Sequence, residues 1–269
     1  MKTNTMKKFL AASVSLTMAL SLAACSGGGT AEPSDSGAAT QTGDGYKVAV
    51  IKQMDHASLD EIANAIAARI DEIEAEEGIT IECEVTSGQG DQSILRQLAD
   101  QAVADGVDAI IPIATVAAQV SAVSAAGSQT PVVFAAISYP ETADLTGIDY
   151  VTGTSDALDT GMILDMMLAQ NPDVEKVGLL YSLSEPNSEV PIAEAKEYLD
   201  GKGIAYTEAT ANTNDEVIAA ASSLIAEGVD AVFTPTDNII MAAELAIYED
   251  FIDAGIPHYT GADSFARNG

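Results

Sequence analysis

The sequence predicts an α/β protein of two similar Rossmann-like lobes, each a parallel sheet covered by helices, with a hinge between them. From residue 46 onward, short apolar runs alternate with longer helical patterns. The stretch GVDAIIPIAT at 106–115 nearly returns as GVDAVFTPTD at 228–237. Repeated β-α units at near-constant spacing indicate two lobes of one pattern. Near-continuous apolar runs are typical of parallel strands that are buried on both faces.

The first lobe is predicted at 46–140. Apolar runs predict its strands at 47–51, 79–85, 108–113 and 131–136. The helix after the first strand has an apolar face, formed by Leu59, Ile62, Ile66, Ile70 and Ile73. At its start, Ser58 and Glu61 have the spacing of a capping box. In the second strand, period-two alternation places Cys83 on the core side as a structural residue.

The second lobe is predicted at 156–269, after a Gly- and Thr-containing hinge or crossing strand at 141–155. Apolar runs predict its strands at 176–181, 204–209, 230–235 and 257–261. Helical patterns predict its helices at about 157–170, 187–200, 215–227 and 238–254.

The N-terminal segment 1–24 has the pattern of a signal peptide. Lysines precede an apolar run that is too short to span a bilayer comfortably, and small residues follow it. The sequence LAAC at 22–25 resembles the lipobox of bacterial lipoproteins, in which the cysteine carries the lipid. This resemblance implies that Cys25 is lipidated, and the alternative is an ordinary secretory signal with a chance cysteine. Residues 25–45 are predicted to form a flexible tether because they are rich in Gly, Ser and Thr.

The charge excludes one class of partner. The chain has 41 acidic and 11 basic residues, a formal net charge of −30. Because a phosphate backbone needs a basic face, we expect no binding to nucleic acid.

Polar loops follow every predicted strand. Ligands of open parallel sheets bind outside the carboxyl ends of the strands, so these loops are the candidate site. They contain Asp55-His56, Gly88–Asp91, Ala114-Thr115, Ser138-Tyr139, Ser184–Asn187, Asn212–Asn214, Thr236–Asn238 and Asp263-Ser264. Two lobes that face each other across a hinge would bring both sets of loops to one cleft.

Catalytic and metal signatures are weak in this sequence. The GQGD stretch at 88–91 lacks the lysine and the spacing of a phosphate-binding loop. The DTG triplet at 159–161 occurs once, whereas aspartic proteases need two such carboxylates. His56 and His258 lie 202 positions apart without a nearby cysteine cluster, which does not make a metal site. We therefore expect no enzyme activity and no cofactor, and a structural role for His258.

Several motifs together resemble one transport family. DHASLD (55–60), GQGDQS (88–93), PIATVAAQ (112–119), VTGTSD (151–156), LLYSLSEPNS (179–188) and FTPTDNII (233–240) are similar to the tryptophan/tyrosine-binding type of ABC-transporter substrate-binding lipoproteins. The resemblance implies a type I periplasmic-binding-protein fold whose lobes close on a small molecule. It also implies delivery to an ABC permease and its ATPase at the extracytoplasmic face of the cell membrane, with an aromatic amino acid as the ligand.

Two departures concern the ligand, and one concerns length. Relatives usually carry a glutamine near the end of strand one, where this chain has Lys52, and a proline where it has Ala57. Relatives also continue beyond DSFARNG at 263–269, so a truncated first lobe with exposed apolar sheet surface is expected.

A zwitterionic amino acid would need partners for both of its charges. Thr115 and the first amides of the following helix suit a carboxylate, and Asp237 and Glu185 suit an ammonium. Asp237 has an alternative role as a helix N-cap, and Glu185 as a solvated loop charge. The full set of expected ligand contacts is Asp55, His56, Gln89, Asp91, Ala114, Thr115, Thr154, Glu185, Asn187, Thr236, Asp237 and Asp263.

Three alternatives remain open at this level. The same fold could serve as a sugar or nucleoside receptor, although the absence of Trp and the low aromatic content disfavour sugars. A lipid-anchored α/β enzyme would need a catalytic constellation. A sensory lipoprotein that reports its ligand to a membrane kinase would share every feature described above.

Overall fold

The computed structural model describes residues 45–268. The predicted signal peptide at 1–24 and the lipidated Cys25 lie outside the described residues, as does the tether up to residue 44. Within the described range, no helix combines the length and apolarity needed to cross a membrane.

The first half is a five-stranded parallel sheet with the strand order β2-β1-β3-β4-β5. Its elements are β1 (Tyr46–Lys52), α1 (Ala57–Glu77), β2 (Ile81–Ser87), α2 (Gln92–Ala104), β3 (Ala109–Ile113), α3 (Thr115–Ala125), β4 (Val132–Ile137) and β5 (Val151–Ser155). Neighbouring residues of β1 face opposite helix layers: Val50 packs with Leu59 of α1, and Ile51 packs with Leu95 of α2. The stretch 141–155, predicted as the hinge, supplies β5, which pairs with β4.

The second half is a four-stranded parallel sheet with the order β7-β6-β8-β9. Its elements are α4 (Thr160–Gln170), β6 (Lys176–Tyr181), a 3₁₀ turn (Pro186–Ser188), α5 (Glu189–Lys202), β7 (Ala205–Thr210), α6 (Asn214–Ala226), β8 (Ala231–Thr234), α7 (Asn238–Ala242), a 3₁₀ turn (Glu244–Ala246), α8 (Tyr248–Ala254), β9 (His258–Thr260) and α9 (Asp263–Asn268). This order repeats that of β2-β1-β3-β4. The predicted α/β fold with two similar parallel sheets is confirmed.

The shared part of the GVDA repeat has the same structural task in both halves. Its opening glycine adopts a φ of +67° in each copy, where a side chain would be strained, and ends the preceding helix. The Asp108 N–H donates to the Lys47 carbonyl oxygen, and the Asp108 carboxylate accepts from the Lys47 N–H, both at 2.8 Å. Asp230 makes the same two bonds with Lys176, also at 2.8 Å. The repeated aspartate therefore fixes the first strand of each sheet beside the third.

The predicted capping box at the start of α1 is wrong. The helix begins at Ala57, so His56 is the N-cap residue, and its side chain makes no capping hydrogen bond. Ser58 lies inside the first turn, and its hydroxyl hydrogen-bonds instead to the hydroxyl of Ser264 in the other half.

The predicted helix at 238–254 is divided into three segments. Ala243 (φ −102°, ψ 1°) and Ile247 (φ −121°, ψ −20°) leave the α-helical region of backbone space. Hydrogen bonds of the i→i−3 type replace α-helical ones there, as from the Ala243 N–H to the Ile240 carbonyl. The apolar spacing still places Ile240, Ala243, Ile247 and Phe251 in one core. The periodicity was therefore satisfied without a continuous helix.

Gly153 of the edge strand β5 is a position where the neighbouring strand β4 leaves no room for a side chain. A Cβ there would lie 2.1 Å from the Phe134 carbonyl oxygen and 2.3 Å from its ring. We expect Gly153→Ala to lower the free energy of unfolding by about 1–3 kcal/mol through overpacking, measured by urea denaturation. Gly201→Ala is the control, because a Cβ at Gly201 meets nothing within 4 Å. Equal stability of the two variants would contradict this expectation.

Candidate functional site

A cavity of about 370 Å³ lies between the carboxyl-terminal ends of the two sheets. This volume is within the range of small-molecule sites. Six of the twelve residues predicted to contact a ligand line it: His56, Ala114, Thr115, Asn187, Thr236 and Asp263. Strand-end loops from both halves therefore meet at one place, as the sheet geometry requires.

The other six predicted residues lie outside the lining. Asp55 is exposed and pairs with Lys52, with 2.7 Å between its Oδ1 and the lysine Nζ. Gln89 and Asp91 lie on the exposed turn before α2, and Thr154 is exposed on β5. Glu185 and Asp237 are buried behind the cavity, and their relative exposures are 2% and 0%.

The N-terminus of α3 forms one wall of the cavity. Thr115 is its first residue and is buried. The Val116 N–H donates to the Gln53 Oε1 at 3.0 Å, so the protein uses one donor of this turn itself. The Thr115 and Ala117 amides have no intrahelical acceptor, as in the first turn of any helix. Together with the helix dipole, they make this wall suitable for an anion.

Two alanines of this cavity have strained backbones. Ala114 has φ 75° and ψ 162°, and Ala136 has φ 56°. Such conformations cost about 1–3 kcal/mol each and cluster at functional sites, where the surrounding structure enforces them. At Ala114, the strained residue is the N-cap that directs α3 at the cavity.

Acceptors dominate another part of the wall. Asp156, next to the end of β5, accepts from the Ser138 hydroxyl at 3.0 Å. The residue as a whole is exposed, but partial desolvation of its carboxyl group raises the pKa of that group. Among the described residues, it has no ion-pair partner. Asn187 donates from Nδ2 to the Thr236 carbonyl oxygen at 2.5 Å, and its buried Oδ1 has no hydrogen-bond partner there. These oxygens suit a cationic or N–H group of a ligand.

Behind the cavity, a buried network joins the two halves. The Gln53 Nε2 donates to the Glu185 Oε1 at 2.5 Å, and the Asn238 Nδ2 donates to the Glu185 Oε2 at 2.7 Å. The Asn238 Oδ1 lies 3.0 Å from the Nε2 of His56. Burial, with a contribution from the neighbouring Asp237, raises the pKa of Glu185 to about 8. Burial also lowers the pKa of His56, which favours its neutral form.

Asp237 serves the second half of the fold. Its Oδ1 accepts from the backbone N–H groups of Ile239 and Ile240 at 3.1 and 3.0 Å, as an N-cap of α7. Its Oδ2 accepts from the Ser182 N–H and from the Ser188 hydroxyl, both at 2.7 Å. Both oxygens are therefore occupied by protein donors, and the side chain is not presented to the cavity.

Further contacts join the two halves at the rim. The Arg267 Nη2 lies 3.0 Å from the Glu61 Oε2, and both residues line the cavity. Leu59, Ile62 and Met241 supply apolar surface. The cavity therefore combines a donor-rich wall, an acceptor-rich wall and an apolar surface.

Four contributors were missed from the sequence: Gln53, Ser138, Asp156 and Asn238. Ser138 and Asn238 belong to the strand-end loops that the sequence did identify, and Asp156 ends the VTGTSD motif. Gln53 follows the first predicted strand by two positions, and it was passed over because only Lys52 was considered at the end of that strand.

No group of three or more His, Cys, Asp or Glu side chains that could hold a metal occurs within residues 45–268. Cys83 is a free, partly buried thiol on β2, and burial raises its pKa, which makes it a poor nucleophile.

Comparison with known proteins places these features in a family. The family described as ABC transporter substrate binding protein matches residues 47–269. A tyrosine-binding protein of Clostridioides difficile (strain R20291) is 26% identical over 243 residues, which is 88% of this chain and 70% of that protein.

Two solved structures resemble this one over most of the chain. An ABC domain from Streptococcus pneumonia in complex with L-Trp has a TM-score of 0.75 at 28% identity, covering 84% of this chain and 77% of that one. A conserved domain protein from Vibrio cholerae has a TM-score of 0.74 at 25% identity, covering 83% and 76%.

Proposed function

The chain belongs to the ABC transporter substrate-binding proteins, a family of extracytoplasmic proteins that bind small ligands and work with a permease, and on that premise we propose that its cavity binds an aromatic amino acid. Tyrosine and tryptophan are the candidates, because one relative is a tyrosine-binding protein and a similar structure holds L-Trp. The family is one of solute-binding proteins rather than enzymes.

The opposed polarity of the two cavity walls carries this proposal. The α-carboxylate would bind at the N-terminus of α3, against the Thr115 hydroxyl and the free amides of the first turn. The α-ammonium would bind Asp156 and the unpartnered Oδ1 of Asn187. Because Asp156 is partly desolvated without an ion-pair partner among the described residues, a ligand cation would lower its pKa toward the usual value.

Contacts from both halves would couple ligand binding to the closure of the two halves. The carboxylate wall belongs to the first half, whereas Asn187 belongs to the second. A ligand that touches both walls favours the arrangement in which the halves are together, since only that arrangement provides every contact. The interlobe bonds among Gln53, Glu185, Asn238 and His56 are made in this arrangement without a ligand, and a ligand would stabilise them further.

The route of the ligand is also part of the proposal. We infer that Cys25 is lipidated, that the 25–45 segment tethers the domain to the extracytoplasmic face of the membrane, and that an ABC permease and its ATPase receive the ligand. The LAAC sequence and the Gly/Ser-rich composition after it support the anchor.

Calorimetric titration tests the ligand. L-tyrosine should be compared with tyramine and 3-(4-hydroxyphenyl)propionate, and L-tryptophan with tryptamine and 3-(indol-3-yl)propionate. In each pair, the first analogue lacks the carboxylate and the second lacks the ammonium. We expect at least one of the two amino acids to bind, and each analogue of a binding amino acid to bind about 10–100-fold more weakly, because each loses charge-assisted hydrogen bonds. Binding of a sugar or nucleoside, with no binding of any proteinogenic amino acid, would overturn the proposal.

Asp156→Asn tests the assignment of the ammonium. We expect this change to weaken binding of the amino acid about 10-fold or more, and to leave the affinity of the deaminated analogue nearly unchanged. The exposed Asp149→Asn is the matched control and should bind like the unmodified protein. An equal loss for both ligands would mean that Asp156 acts on the shape of the cavity rather than on the ammonium.

A further inference from the structure

A series of hydrogen bonds joins Val116 to His56 through Gln53, Glu185 and Asn238. The first bond fixes the orientation of the Gln53 amide next to the Glu185 carboxyl group. The Val116 N–H can only donate, so Gln53 turns its Oε1 toward that amide, at 3.0 Å. The Gln53 Nε2 is then turned toward Glu185, at 2.5 Å from Oε1. Gln53 is therefore a donor to Glu185 whatever the protonation state of the carboxyl group.

The next two hydrogen bonds couple the protonation state of Glu185 to the tautomer of His56. An ionised Glu185 can only accept, so Asn238 presents its Nδ2 to it, at 2.7 Å. The Asn238 Oδ1 then faces the His56 Nε2 at 3.0 Å and requires a proton on that nitrogen. In a neutral imidazole, the other nitrogen, Nδ1, is then a hydrogen-bond acceptor.

Protonation of Glu185 reverses the sense of the series. Glu185 takes one proton from water. Since Gln53 keeps its orientation and donates to Oε1, we expect the new O–H to form on Oε2 and to donate to the Asn238 side chain that faces it. Asn238 then exposes its Oδ1 to Glu185 and donates through Nδ2 to the His56 Nε2. The imidazole proton moves from Nε2 to Nδ1 by exchange with water, so His56 stays neutral while Nδ1 becomes a donor.

We propose that His56 is a specificity-determining residue whose hydrogen-bonding sense toward the ligand is set by Glu185. With Glu185 ionised, Nδ1 accepts from a ligand N–H or O–H, and with Glu185 protonated, it donates to a ligand oxygen. His56 lines the cavity, and its Nδ1 is buried without a partner among the described residues. The inference rests on the proposed function, because the group that Nδ1 meets belongs to the ligand.

The surroundings allow both states near neutral pH. Burial and Asp237 raise the pKa of Glu185 to about 8. Burial lowers the pKa of His56, which keeps it from becoming a cation in the same range. The position of His56 at the N-cap of α1 adds to this effect, because the positive end of a helix disfavours a cation. The charged groups that face His56 are Asp60, Lys52 and Asp55.

The test is the tautomer of His56, read from nitrogen-15 NMR of histidine-labelled protein. The chain has two histidines, so a His56→Ala sample assigns the spectrum. Between about pH 6.5 and about pH 9.5, the His56 proton should move from Nδ1 to Nε2, with a midpoint near the pKa of Glu185, about 8. One tautomer throughout this range would overturn the proposal.

Glu185→Gln should abolish the change. The carbonyl of the new side chain accepts from Gln53 and its amide donates to Asn238, which imitates protonated Glu185 and holds the proton on Nδ1 at every pH. The exposed Glu189→Gln is the matched control and should behave like the unmodified protein. If Glu185→Gln fails to fold, Asn238→Ala replaces it. This variant interrupts the hydrogen bonds between Glu185 and His56, so the tautomer of His56 should no longer depend on Glu185. A pH-dependent switch that survives the variant would overturn the relay.

Addition of L-tyrosine or L-tryptophan completes the test. A bound amino acid should shift the Nδ1 resonance of His56, and binding without such a shift would overturn its role in specificity. If the tautomer switches with pH but no amino acid binds, the relay stands and the proposed function fails. The two ideas can therefore be separated on one sample.

Discussion

Asp237→Ala is expected to lower the free energy of unfolding by about 3 kcal/mol, among the largest single-site losses in this protein. The carboxylate is fully buried and accepts four hydrogen bonds. Its removal leaves the Ser182 N–H and the Ser188 hydroxyl without their acceptor, and also uncaps α7. Urea denaturation with a check of circular dichroism measures the loss.

Asp91 provides a matched comparison. It has nearly the same backbone conformation as Asp237, φ −100° with ψ 116° against φ −100° with ψ 114°, and it caps α2 in the same way. It is exposed, however, and makes no bond corresponding to those with Ser182 and Ser188. Asp91→Ala should therefore cost clearly less, and equal losses would mean that the buried bonds of Asp237 contribute nothing.

The same variant addresses the sequence-based prediction that Asp237 binds an ammonium. Because both of its oxygens are occupied by protein donors, we expect Asp237→Ala to act on stability, and the folded fraction to keep most of its affinity. The acceptor role in the cavity then falls to Asp156 and Asn187, which have the free capacity that Asp237 lacks.

His258 should make the protein less stable in acid. Burial between the rings of Phe251 and Phe265 lowers the pKa of this histidine to about 4, from an ordinary value of 6.5. Below pH 6.5, His258 is therefore protonated in the unfolded chain, whereas in the folded protein it stays neutral down to about pH 4. Stability contributed by neutral His258 is lost as the pH falls through this window, by about 3 kcal/mol in total.

The difference between the unmodified protein and His258→Gln isolates this contribution. Glutamine can keep the hydrogen bond to the Thr234 hydroxyl, which lies 2.8 Å from the His258 Nε2, but it does not titrate. Chemical denaturation of both proteins from about pH 7 to about pH 4 should give a difference that grows toward acid. Groups with raised pKa values, such as Glu185, change the free energy of unfolding of both proteins equally, so their effect cancels in the difference. A difference independent of pH would refute the buried-neutral assignment.

Most of the fold could be predicted from local sequence because its strands are buried on both faces. The run KVGLLY, for example, is β6 from its first residue to its last. Breaks inside helices were less visible: the apolar spacing after Asp237 suits a helix, and only the packed structure contains the turns at Ala243 and Ile247. The start of α1 was misplaced because Ser58 looked like a cap, whereas its hydroxyl contacts the other half.

The site was only half predictable, for a reason of geometry. Strand-end loops can be found in a sequence, but which side chains meet across them depends on how the two halves are placed. Asn238 contacts His56 over a separation of 182 positions, and no local pattern encodes that contact. Asp237 has the more conspicuous residue type, yet its neighbour Asn238 is the one that reaches the cavity.

The hydrogen bonds of Asp108 and Asp230 in the GVDA repeat indicate the order in which the parts of the protein fold. The Lys47–Asp108 bond closes a segment of 61 positions, and the Lys176–Asp230 bond closes one of 54. The links that join the halves, from Gln53 to Glu185 and from Glu61 to Arg267, span 132 and 206. Since shorter closures lose less chain entropy, each half should fold on its own nucleus, and the cavity should form last, when the two folded halves dock. Substitutions in the interlobe network should then alter the final docking phase and leave the earlier folding phases of the halves unchanged.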